Sequence, residues 1–149
     1  MKTRNGLVIP LLAIVVGLGM IVSAGVIVSN VLQYQNGVSG VSLASTWADG
    51  SKVIGTQYSF SVSYVSPAGT PNAVIVFEFN ATGILPADVT LEHNTGVGGY
   101  VLVTFVQTSS NTIRGTSLTI AGGTGGGYDY HLTYNDFGTF SMKVWAEAV

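Results

Sequence analysis

The chain has 149 residues, with 5 Lys and Arg against 7 Asp and Glu, 20 glycines and no cysteine. Charged residues make up 8% of it, against about 25% in an ordinary soluble domain, which excludes an intrinsically disordered chain. A formal net charge of −2 leaves no electrostatic footprint for nucleic acid, and without cysteine there is no disulfide framework, thiolate metal site or cysteine nucleophile.

Lys2 and Arg4 precede an apolar run from Leu7 to Ser29 whose polar members are Ser23 and Ser29, and no charge appears between Arg4 and Asp49. As a helix rising about 1.5 Å per residue, the run covers roughly 34 Å, enough for the roughly 30 Å hydrocarbon core of a bilayer. Pro10 falls in the first turn, where its missing N–H is harmless. The spacing predicts a basic leader over residues 1–6 and one hydrophobic helix over residues 7–35, either transmembrane or packed in a filament core. The two cations keep its N-terminus cytoplasmic before processing and place the rest of the chain outside. Ala13 with Gly17, and Gly25 with Ser29, are small-xxx-small pairs that let helices approach closely.

Three fates are open to this segment. It can be a secretory signal cleaved between Ala24 and Gly25, after the small residues Val22-Ser23-Ala24. It can be an uncleaved anchor, or it can lose a short leader and keep its helix. The stretch Lys2–Gly6, KTRNG, followed by Leu7-Val8-Ile9, resembles the glycine-terminated basic leader of archaeal type IV pilins. That resemblance implies cleavage between Gly6 and Leu7 and a helix retained in a fibre core.

Beyond Asn36-Gly37, a helix-ending pair, the apolar period becomes 2 and the pattern turns to strands. Val38–Thr46 alternates loosely. In Thr56–Val65, Tyr58, Phe60, Val62 and Tyr64 share one face, and Ser59, Ser61 and Ser63 share the other. Pro67–Pro71 is a turn cluster, and residues 72–80 read as a strand buried on both faces apart from Glu78. Further strands follow at 88–93, at 100–107, which reads as one continuous strand, and at 112–120. Gly122–Gly127, GGTGGG, is expected to be a flexible loop, and the last strands cover 128–134 and 138–148. About eight strands at this spacing over residues 36–149 argue for one extracellular antiparallel β-sandwich. Phe60, Val62, Val76, Phe77, Val103, Phe105, Phe140, Val144 and Trp145 are expected to supply most of its core.

The closing segment, with Asp136-Phe137-Gly138-Thr139-Phe140, resembles the turn into strand F of immunoglobulin-like and PKD-like modules. The resemblance implies that Phe140, Met142, Val144 and Ala146 face inward and that the usual last strand is missing after Val149. The vacant edge would then be filled by Val38–Thr46, from the same chain or from the next subunit. A chain beginning near Val38 is expected to fold as a soluble β-rich monomer.

No active site emerges. His131 and Asp129 at i, i+2 share a strand face, but a metal site needs at least three converging ligands, so no metal or other cofactor is expected. Glu78 and Glu92 could imitate a glycosidase pair, yet Glu78 alternates into its strand as a single charge at an edge or solvent-facing position. The glycine run lacks the Lys-Ser/Thr of a phosphate loop, and the tyrosines lack a basic stripe for nucleic acid. Asn80-Ala81-Thr82 is a sequon, which makes a glycan on Asn80 a candidate modification. The expectation is a non-enzymatic structural protein of the cell surface: a pilin-like filament subunit that contacts the membrane through its helix and polymerises with copies of itself. The alternative is an individually anchored or secreted adhesive domain.

Overall fold

The computed structural model describes residues 25–30, for backbone alone, and residues 40–149. Among the described residues there are eleven strands: β1 (Gly25–Asn30), β2 (Ser42–Ser45), β3 (Gly50–Val53), β4 (Gln57–Val65), β5 (Ala73–Asn80), β6 (Val89–Asn94), β7 (Tyr100–Leu102), β8 (Phe105–Ser109), β9 (Thr112–Ile120), β10 (Gly125–Tyr134) and β11 (Thr139–Ala148). The six-stranded sheet has the order β3-β1-β11-β5-β9-β8, and the five-stranded sheet has the order β2-β4-β10-β6-β7. Phe60 and Tyr130 from the second sheet meet Phe77 from the first, with ring centroids 6.3 and 4.9 Å from Phe77, so the two inner faces form a single core.

The period-2 segments form strands because alternation places one apolar set inward. Phe60 and Val62 of β4, Tyr130, Leu132 and Tyr134 of β10, and Phe140, Met142, Val144 and Ala146 of β11 all lie in the core cluster. Every residue expected in the core is buried. Val76 and Trp145, however, lie outside the cluster between the sheets.

The N-terminal expectation is corrected. Gly25–Asn30 is a strand, parallel to β11 and antiparallel to β3, so the helix over residues 7–35 fails, and with it the archaeal type IV pilin resemblance. The consecutive β-branched residues Val26, Ile27 and Val28 suit a pleated surface better than a helix, where their side chains are restricted. Gly25 and Ser29 are therefore strand residues rather than a helix-packing pair. Among the described residues no helix is long and apolar enough to cross a membrane. Gly6, Leu7, Ala13, Gly17 and Ala24 lie outside the described residues.

The immunoglobulin-like expectation is also corrected. Successive strands from β1 to β6 alternate between the sheets, and β4-β10-β6-β7 faces β11-β5-β9 in the strand order of a jelly roll. An immunoglobulin-like module instead keeps hairpin pairs within a sheet. The edge of β11 expected to be vacant is occupied by β1, while Ser42–Ser45 pairs with β4 at the edge of the opposite sheet. Two further corrections are local. The run 100–107 splits into β7 and β8, with buried Val103 carrying the chain from one sheet to the other. Gly125–Gly127 is not loop but the start of β10, paired with Ser63–Val65. There the Tyr64 ring lies so close that a Cβ on Gly126 would stand 3.2 Å from its hydroxyl.

Candidate functional site

The outer face of the five-stranded sheet carries Asp129, His131 and Glu92. Pairing of β4, β10 and β6 lines up Ser61 with Asp129, and Ser59 and Glu92 with His131. Asp129 accepts a 2.6 Å hydrogen bond from the Ser61 hydroxyl. His131 is stacked under Tyr100, centroids 3.6 Å apart and planes 13° apart, and its Nδ1 stands 3.9 Å from Glu92 Oε2. Gln57 donates to the same Glu92 oxygen at 3.3 Å. His131 and Asp129 thus share a face as expected, yet each is committed to a different neighbour. Among the described residues no three His, Asp or Glu side chains converge on a metal position.

His93 points the other way. Its Nδ1 is 3.0 Å from the Ser117 hydroxyl, which is itself 3.1 Å from the Tyr130 hydroxyl, and burial holds its pKa below the ordinary value. Glu78 belongs to β5 and Glu92 to β6, on opposite sheets, so the pair cannot flank one bond. Glu78 is instead paired with Lys143 at 3.5 Å. Tyr130 and Tyr134 are in the core, and Tyr58, Tyr64 and Tyr128 pack against it, so these tyrosines form no outward platform. Asn80 ends β5 with its amide engaged at both atoms: Nδ2 donates to Glu78 at 3.1 Å, and Oδ1 accepts from Thr112 at 2.7 Å.

The feature that sequence reasoning missed is the seam around β1. Its register sets Ile27 beside Thr139, Val28 beside Phe140, Ser29 beside Ser141 and Asn30 beside Met142. On its other side Gly25 to Val28 run antiparallel to Val53 to Gly50. All other strand pairings among the described residues are antiparallel. The strand is interposed between β3 and β11, and without it β3 loses its sheet neighbour and β11 presents a free edge. Phe140 and Met142, buried beside that edge, belong to the core. From Lys143 to Ala148, β11 has no strand partner on the β1 side among the described residues. The available signal in the sequence was the β-branched triplet at 26–28, hidden inside a longer apolar run.

No protein-family model matches the chain, and no curated protein matches it. Among solved structures, one described as "AvmM Catalyzes Macrocyclization in Alchivemycin A Biosynthesis" overlaps 81% of this chain and 97% of its own, with 9% identity and a TM-score of 0.47. A likeness of that size carries no argument about activity.

Proposed function

We propose that the chain is an exported structural protein of the cell surface that assembles with copies of itself, its sandwich facing outward. The observation that supports this reading is the interposed strand β1, a short apolar segment on which the closure of the six-stranded sheet depends. Sheet edges that need an added strand are a recurrent means of joining protein chains. Of the alternative processing points, cleavage between Ala24 and Gly25 suits this reading best, because Gly25, the first residue of β1, then becomes the first residue of the exported protein. The polar outer face around Asp129, His131 and Glu92 is internally bonded, as suits a surface that meets water rather than a substrate.

The test is to export the full-length chain from a surrogate host, determine its N-terminal residue, and examine it by light scattering and electron microscopy. The expected result is a chain beginning at Gly25 that elutes as a concentration-dependent series of oligomers or as fibres. A monodisperse monomer at millimolar concentration would remove the proposal.

A further inference from the structure

The outer face of the six-stranded sheet gathers four polar side chains from the adjacent strands β11, β5 and β9. Lys143 is the register partner of Glu78, Ser141 of Asn80, and Asn80 in turn of Thr112. Residues two apart in a strand share a face, so Lys143, Glu78, Asn80 and Thr112 stand together. One oxygen of Glu78, Oε1, lies between two nitrogens: Lys143 Nζ at 3.5 Å and Asn80 Nδ2 at 3.1 Å. The Asn80 carbonyl oxygen, Oδ1, accepts a 2.7 Å hydrogen bond from the Thr112 hydroxyl. The buried pair Trp145 and Val76 forms the next row of the same face and bounds the cluster on one side. Lys143 and Glu78 keep 34% and 21% of their side-chain surface exposed, and this partial withdrawal from water favours the neutral amine and acid over the ion pair.

We infer that Lys143 and Asn80 become joined by an amide bond that the folded chain forms by itself, with Glu78 as proton carrier. Diagonal neighbours on paired strands have Cβ atoms somewhat less than about 7–8 Å apart, within reach of a lysine. Lys143 passes one Nζ proton to Glu78 and becomes a neutral amine, which is a nucleophile. The amine attacks Asn80 Cγ, and the charge that develops on Oδ1 meets the Thr112 hydroxyl, a donor already in place. Glu78 delivers its proton to Nδ2, to which it is already hydrogen-bonded, and the Cγ–Nδ2 bond breaks. Ammonia leaves and takes up the second proton that Nζ sheds, so the by-product is ammonium and no oxidant or other co-reactant enters. The bond gives a chain without cysteine a covalent tie between β5 and β11, and it consumes the nitrogen to which a glycan on Asn80 would attach.

The test is the mass of the full-length chain after prolonged standing in the folded state, taken intact and after chymotryptic digestion. The expected mass falls below that of the chain from its determined N-terminus by one ammonia, about 17 Da, with a branched peptide linking Lys143 to Asn80. Lys143→Arg keeps a cation beside Glu78 and should restore the full mass. Glu78→Gln should restore it as well, although both reacting groups remain. An unmodified mass, a glycan on Asn80, or an ammonia loss that persists in Lys143→Arg, as a succinimide would, overturns the inference. Undiminished cross-linking in Glu78→Gln overturns it too, because the proton carrier is part of it. The branched peptide of the unsubstituted chain decides the matter even where a variant folds poorly, and the result does not depend on whether the chain assembles.

Discussion

Trp145 of β11 and Val76 of β5 are register partners, and both are buried although they stand outside the cluster between the sheets. The Arg114 guanidinium lies 5.2 Å from the Trp145 ring centroid and is paired with Glu147. Arg114 thereby lays its guanidinium over Trp145 on the outer face of the six-stranded sheet. Trp145→Ala is expected to lower stability by about 3–5 kcal/mol, as for an aromatic of the central core. Arg114→Ala should cost only about 1 kcal/mol. Urea titration of the two variants checks the ordering.

Within the central core, Phe60 meets Trp47, Phe77 and Tyr130, with centroids 5.2, 6.3 and 5.3 Å away, and Phe140 meets Tyr134 at 5.0 Å. Phe60→Ala and Phe140→Ala should each cost about 3–5 kcal/mol, a large share of a small domain's stability. Lys52 has a larger part than a surface lysine usually has. Its Nζ lies 4.9 Å from the Trp47 ring and 5.2 Å from Tyr58, and donates to the Ala48 carbonyl at 2.9 Å. Lys52→Ala should therefore lower the melting temperature measurably, by the equivalent of about 0.5–1 kcal/mol.

Gly122 and Gly125 belong to the same glycine-rich run but answer to different constraints. A Cβ on Gly122 would fall 1.9 Å from the Thr70 carbonyl oxygen, whereas on Gly125 it would meet nothing closer than 3.6 Å. Gly122→Ala should destabilise by about 3 kcal/mol or more, and Gly125→Ala by much less. Thermal melts by circular dichroism distinguish them.

Burial shifts the titration of His93 and of three tyrosines, which ties stability to pH at both ends. Burial keeps His93 neutral, with its pKa below the ordinary 6.5, so the stability it contributes is present above that value and lost as pH falls through the folded pKa. Burial, with Tyr64 beside it, pushes Tyr128 up to about 12. The folded state therefore favours its protonated form. That contribution is complete below the ordinary pKa of 10.0 and disappears as pH rises towards 12. Burial raises Tyr130 and Tyr134 in the same direction. Absorbance at alkaline pH should show these three phenols ionising together with unfolding, and His93→Gln should flatten the acid limb of a stability–pH curve.

Removal of β1 tests the architecture directly. The expectation that a chain beginning near Val38 folds as a soluble β-rich monomer leaves out the pairing of β1 with both β3 and β11. A chain beginning at Gly40 should melt at a lower temperature than one that retains β1 and associate through the edge of β11. A peptide of residues 25–36 should raise its melting temperature in a dose-dependent way.

The strands whose alternation is local were legible in the sequence. Tyr58-Phe60-Val62 and Phe140-Met142-Val144 each announce an inward face, because burial acts on every second residue. What escaped depended on distant partners. Val26-Ile27-Val28 lies in an apolar run long enough to read as a helix, and its strand state is set by β11, more than a hundred residues away. Gly125–Gly127 have weak strand propensity, and the Tyr64 ring and β4 backbone hold them. The run 100–107 is apolar apart from Thr104 and Gln107 and reads as one strand, yet Val103 takes it across to the other sheet. The seam shares this character: no motif marks it, since its two walls are 85 or more residues apart.

Five basic residues occur in the whole chain, and between Gly40 and Val149 they are Lys52, Arg114 and Lys143. Each lies inside a strand, in β3, β9 and β11 respectively. Proteases that cut after basic residues need several residues of slack, extended chain, which a sheet releases only by opening. The scarcity of charge that first marked the composition thus leaves the folded sandwich without an accessible cutting point for enzymes of that specificity. Resistance to digestion is in effect written into the same lean use of lysine and arginine.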